Sequence, residues 1–97
     1  MYGTMARIQP LPGKEAELIA IGDSMREAPM PGFRASFLFK PDHNPYSNPT
    51  YFLVAVFEDE ATYKANADSP GQDARYRELR ALLAAGPDWM DGTYWGM

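Results

Sequence analysis

Few side chains in this sequence are suited to chemistry. His43 is the single histidine, and the one group whose ordinary pKa fits proton transfer near neutrality. It reads either as a general base or as a solvent-exposed loop histidine. Arg7 and Arg34 can stabilise a substrate anion if they point into a sheltered space. Their ordinary reading is an ion pair with a carboxylate across a dimer. Tyr63 and Tyr76 carry hydroxyls and Asn66 an amide, groups that hold polar atoms of a ligand or simply finish a core or a helix end. Cysteine is absent, which excludes disulfides, thiolate nucleophiles, iron–sulfur clusters and zinc ribbons. With one histidine and no glycine-rich phosphate loop, the expectation is an activity without metal or flavin, that is, no cofactor.

The elements that must position these groups follow from pattern. Residues 2–9 mix apolar and polar residues without helical period and end at Pro10 and Pro12, so they read as a strand. Its alternation puts Met5 and Arg7 on one face and Tyr2, Thr4, Ala6 and Ile8 on the other. After Pro12-Gly13, Leu18, Ile21 or Gly22, and Met25 recur at helical spacing. Glu15 and Glu17 favour the first turn, and Pro29 and Pro31 end the helix. Residues 33–40 read as a strand with Phe33, Ala35, Phe37 and Phe39 on one face. Residues 41–49 read as a loop, long enough to cover a pocket mouth, and it carries His43. Residues 50–57 form a strand apolar on both sides, as expected of one covered twice. Asp59 reads as an N-cap for a helix over 61–67. Ser69-Pro70-Gly71-Gln72 has the capping-box form before a helix with Tyr76, Leu79, Leu82 and Leu83 on one face. Arg75, Arg77, Glu78 and Arg80 lie around that helix, Arg80 on its solvated side. Gly86-Pro87 stops it, and residues 89–96 return as a strand with a bulge or bend expected at Gly92.

The order βαββαβ, with the second helical stretch in two pieces, predicts an α+β chain with a ferredoxin-like, four-stranded antiparallel sheet and helices on one face. At 97 residues there is room for one domain, 1–97. The net charge of −4 offers no basic face, so nucleic acid is not an expected partner. No apolar run reaches the ~18 residues of a membrane span, no membrane partner is expected, and the chain reads as cytoplasmic. The uncovered sheet face needs a cover, and a second copy of the same sheet is the simplest one.

Four motifs form one pattern. They are Pro12-Gly13-Lys14-Glu15 after the first strand, Pro31-Gly32 before the second, Phe57-Glu58-Asp59-Glu60-Ala61 at the exit of the third, and Ser69-Pro70 before the last helix. In order and spacing they resemble the antibiotic biosynthesis monooxygenase (ABM) domain family, over nearly the whole chain. That resemblance implies a dimeric α+β barrel, a homodimer joined through the sheet faces, with a ligand cavity between sheet and helices in each protomer. It also implies oxidation of phenolic or quinol-like aromatics by molecular oxygen without a cofactor. In that frame Asn66, Tyr76 and His43 are the candidate catalytic residues, and Met5, Phe37, Phe57 and Tyr63 the candidate substrate-binding ones. Where family members often carry a tryptophan at the third-strand exit, this chain has Phe57. Where the haem-degrading branch carries tryptophan and histidine, it has Asn66 and Tyr76, so the haem ligand is missing. Two function classes remain: a cofactor-independent monooxygenase acting on a small aromatic molecule, or a non-catalytic, small-ligand-binding or accessory dimer.

Overall fold

A computed structural model describes residues 1–97. The elements run β1 (Tyr2–Ile8), α1 (Glu15–Glu27), β2 (Phe33–Phe39), β3 (Tyr51–Phe57), α2 (Glu60–Ala67), α3 (Pro70–Ala81) and β4 (Asp88–Thr93). The strands form one antiparallel sheet in the order β2-β3-β1-β4, the ferredoxin-like arrangement, with the three helices against it. No helix is long and apolar enough to cross a membrane.

Local chemistry sets the element ends. Glu15 and Glu17 occupy the first turn of α1, where the helix's positive end favours them. Ala28 closes α1 in an extended conformation, as the residue before a proline must. Asp59 caps α2 by accepting the Thr62 N–H at 2.8 Å, and Ser69 caps α3 by accepting the Gln72 N–H at 3.2 Å. The reciprocal half of the expected capping box is missing. The Gln72 carboxamide oxygen accepts instead from Asn66 and Arg75, and the Ser69 N–H donates to the Asn66 carbonyl. Gly32 has φ +78°, and a Cβ there would run into the Thr62 side chain. Glycine therefore lets the chain enter β2 directly beneath the start of α2.

The core lies between sheet and helices. Ala6 and Ile8 from β1 meet Leu18 of α1, Leu79 of α3 and the adjoining Leu82 and Leu83. Phe57, 1% exposed, closes one end of this layer. The expected irregularity at Gly92 does not occur, since Gly92 pairs regularly with Gly3. The bulge lies in β2 instead, between Phe33 and Ala35. An extra residue there reverses the facing of the rest of the strand. Phe33 pairs with Phe57 on the helix side, while Phe37 pairs with Val54 and Phe39 with Phe52 on the opposite side. Phe33, Phe37 and Phe39 therefore do not share a face as alternation alone implies. The opposite face carries Met5, Phe37, Phe39, Phe52, Val54 and Met90, and no helix covers it.

Candidate functional site

A cavity of about 420 Å³ opens between the sheet and the helices. The pairing register builds its sheet wall. Thr4 stands between Ala55 and Asp91, Ala6 between Leu53 and Trp89, and Tyr2 beside Phe57. Leu53, Ala55 and Phe57 of β3, Thr4 of β1, and Trp89 and Asp91 of β4 thus share the helix-facing side and line the space. Ile21 and Met25 of α1, Tyr63 and Asn66 of α2, and Gln72, Arg75, Tyr76 and Leu79 of α3 complete it. Apolar walls with a few convergent polar tips suit a small flat organic molecule.

Tyr63 is the most firmly held polar group. Its ring packs edge-on against Tyr2 and Phe57, with centroids 5.5 and 5.7 Å away. Its hydroxyl donates to Asp91 Oδ1 at 2.7 Å. Burial, with the Asp91 carboxylate beside it, pushes the Tyr63 pKa up to about 12. The phenol therefore stays neutral and donates, and Asp91 keeps its second oxygen for another donor. Asn66 is half-buried and lies in a second network. Its Nδ2 donates to Gln72 Oε1 at 3.2 Å, and its Oδ1 accepts from Arg75 Nη2 at 3.4 Å. Tyr76 sits at the rim, 37% exposed, with its ring 6.5 Å from Trp89.

The structure brings Asn66, Tyr76, Phe57 and Tyr63 to this cavity. It places the other three candidates elsewhere. Met5 pairs with Val54 and Met90, and Phe37 with Val54, so both face away from the helices. For Met5 the cause is alternation along β1, because Phe57 aligns with the even-numbered residues. For Phe37 the cause is the β2 bulge. His43 is exposed in the 41–49 loop, which approaches the far end of the sheet, where Asn48 Nδ2 donates to Gln9 Oε1 at 3.4 Å. That loop does not cover the cavity mouth. Arg7 bonds Asp88 at 2.7 Å and stacks 5.0 Å from the Tyr46 ring centroid, while Arg34 stands 3.9 Å from Glu58. Both pairs lie within the chain. Arg80 is exposed and donates to the Leu83 carbonyl.

Trp89, Asp91, Thr4 and Arg75 line the cavity without having been singled out as site residues from sequence. Alternation in β4 sets Trp89 and Asp91 on one face, but only the β1 pairing says which face. No three histidine or carboxylate side chains converge to hold a metal ion.

A search of the curated proteins finds no match. Among solved structures, the chain superposes on a mutant of SnoaB, a cofactor-independent oxygenase from Streptomyces nogalater, with TM-score 0.74 and 20% identity over 99% of this chain and 94% of that one. A conserved protein from Methanosarcina mazei gives 0.75 and 16% identity over 94% and 89%. A protein of unknown function from Nitrosomonas europaea gives 0.69 and 21% over 99% and 90%. At such identities the likeness concerns the fold. The sequence model of the antibiotic biosynthesis monooxygenase family matches residues 1–79, which takes in β1 through most of α3, and the chain belongs to that family.

Proposed function

We propose that this protein is a cofactor-independent monooxygenase of a small phenolic or quinol-like aromatic, working as a homodimer joined through its open sheet faces. The observation that carries the reading is the 420 Å³ cavity, with apolar walls from β3 and α1 and the Tyr63–Asp91 pair at one side. In this reading the substrate is its own reductant. Asp91 receives the phenolic proton, Tyr63 holds the carboxylate in place, and the phenolate passes an electron to oxygen. A carbon–oxygen bond forms on the ring. One oxygen atom stays there, and the other leaves as water with the hydroxyl proton and the ring hydrogen, giving a quinone. The protein's part is to orient the ring, exclude water and hold the developing negative charge. The uncovered sheet face, with Phe37 63% and Met90 62% exposed, supports the homodimer.

The test is protein-dependent oxygen uptake across a panel of quinols and polyphenols, followed by Asn66→Ala on any accepted substrate. If Asn66 orients the substrate, turnover falls with little change in melting temperature. Unchanged turnover removes Asn66 from the site. A large loss of stability instead makes it a structural amide holding Gln72 and Arg75. No uptake on any member of the panel, with an aromatic nonetheless bound, leaves the ligand-binding dimer as the reading.

A further inference from the structure

The cavity contains one cation that nothing neutralises. The chain has nine lysines and arginines. Seven of them stand within 4.0 Å of a carboxylate, namely Arg7, Lys14, Arg26, Arg34, Lys40, Lys64 and Arg77. Arg80 is exposed and closes the end of α3. Arg75 is half-buried, and it alone lines the cavity and is surrounded by neutral acceptors. Its Nε donates to Gln72 Oε1 at 3.3 Å, and its Nη2 to Asn66 Oδ1 at 3.4 Å and to Met30 Sδ at 3.3 Å. These contacts are long, and they aim the guanidinium without compensating its charge. A guanidinium has five N–H donors. Three are engaged here, and the two on Nη1 have no partner.

Space exists beside that unspent nitrogen. A Cβ at Gly71 would lie 3.6 Å from Nη1, so the missing side chain leaves the approach open. A second concavity, between the Ala28–Pro31 turn and helices α2 and α3, is lined by Gly71 and Ser69, and it shares both Asn66 and Arg75 with the first. Arg75 therefore stands at the common wall of an apolar cavity and an outer groove. The cavity's own carboxylates do not answer it. Asp73 pairs with Arg77 at 2.7 Å, and Asp91 holds the Tyr63 hydroxyl.

We infer that Arg75 is the anion-recognising residue of this site and that the ligand is an aromatic acid. Its ring fills the apolar cavity, and its carboxylate meets the Arg75 guanidinium at the wall that the cavity shares with the outer groove. A planar guanidinium suits a carboxylate, and the bond is charge-assisted in a partly sheltered place. Asn66 and Gln72 are then positioning residues that hold the guanidinium in register. This deepens the reading above, since it rests on the cavity being the ligand site, and it narrows the substrate from any phenolic aromatic to one that bears a carboxylate.

Binding, rather than turnover, tests it. Isothermal titration calorimetry under nitrogen compares 6-hydroxy-2-naphthoate with its uncharged primary amide, on the intact protein and on Arg75→Gln and Arg75→Lys. The intact protein is expected to bind the acid about tenfold or more tightly than the amide. That preference should shrink with added salt. Arg75→Gln should abolish the preference, the acid losing about tenfold more affinity than the amide, and Arg75→Lys should keep part of it. Melting curves check that each variant is folded. If Arg75→Gln fails to fold, Arg75→Lys and the salt series still decide. Equal binding of acid and amide by the intact protein overturns the inference, as does a preference that survives Arg75→Gln. Failure to bind either probe overturns it too. Oxygen uptake with neutral quinols alongside any of these failures leaves the monooxygenase reading standing without the acid.

Discussion

The two faces of the sheet are made of similar residues and behave differently. On the helix side, Ala6, Ile8 and Phe57 are sealed, and the apolar surface left over forms a cavity with polar tips. On the other side, Met5, Phe37, Phe39 and Met90 form a flat apolar field with nothing above it. Its charged border comes from Arg7 bonded to Asp88. An apolar face becomes a site when neighbours leave it partly filled and furnish polar atoms, as Tyr63 and Asp91 do. A face without such neighbours offers only area. In the proposed reading, the first would select small molecules by shape and hydrogen bonds, and the second another flat apolar surface.

Five substitutions break or sharpen that contrast. The largest effect is expected from Phe57→Ala, which empties the sealed end of the cavity and should cost about 3–5 kcal/mol in urea unfolding. The same change at Phe37, more than half exposed, should cost far less in the isolated chain. A comparable loss at both positions would erase the difference between the faces.

Next, Phe37→Asp should leave the fold intact, since the side chain already faces outward. It should shift a dimer to monomer in sedimentation equilibrium at micromolar concentration, because a carboxylate would be buried without a partner. Native protein that sediments as a monomer removes the proposed pairing of sheets.

Tyr63→Phe is expected to act on the cavity side alone. Its effect has a defined pH window. The hydroxyl's folded-state pKa is raised from 10.0 to about 12, so the stability tied to the neutral phenol is whole below about pH 10. It is lost as pH rises through 12. The native protein should therefore show a tyrosine absorbance step near pH 12 and a falling melting temperature on the way to it. Tyr63→Phe should lack that step and, if Tyr63 steadies Asp91 as proposed, turn over substrate more slowly. A late step that persists in the variant assigns it to another tyrosine.

The smallest effect is expected at Ser36. It is 5% exposed on the helix side of β2, and its hydroxyl has no hydrogen-bond partner. Ser36→Ala should be neutral or stabilising by up to about 1 kcal/mol. A clear loss of stability would show that the hydroxyl has a partner, such as a bound water.

The features legible in the sequence were short in range. Asp59 and Ser69 cap the helices they precede, and Pro29 fixes the end of α1, because each acts on residues within a few positions. The element order and the fold came from such signals. Facing was harder, because it depends on pairing between distant strands. Met5 and Phe57 were each read from correct alternation, yet nothing within either strand tells that Phe57 aligns with Tyr2 rather than Gly3. The β2 bulge leaves no local mark apart from Arg34 itself, and it turns Phe37 outward. His43 belongs to a loop, as its proline- and asparagine-rich surroundings indicate, but which end of the sheet that loop serves depends on the connection alone. Arg75 looked like one more charge around a helix. Its place at the cavity comes from Met30 and Asn66, neither of which is near it in sequence.

The placement of β4 has a further consequence, for folding order. β1 meets β4 through pairs such as Tyr2 with Thr93, and Tyr94 is tied back to Thr4 by its hydroxyl at 2.8 Å. Those contacts join opposite ends of the chain, and loop-closure entropy makes distant pairings late and slow relative to local helices and the β2–β3 hairpin. Trp89 and Asp91 reach the cavity only through that closure. A partly folded chain can hold its hairpin and helices while one wall of the pocket is still missing. A ligand bound in the cavity as proposed would report completion of the sheet, and it would favour the closed form over one with β4 detached.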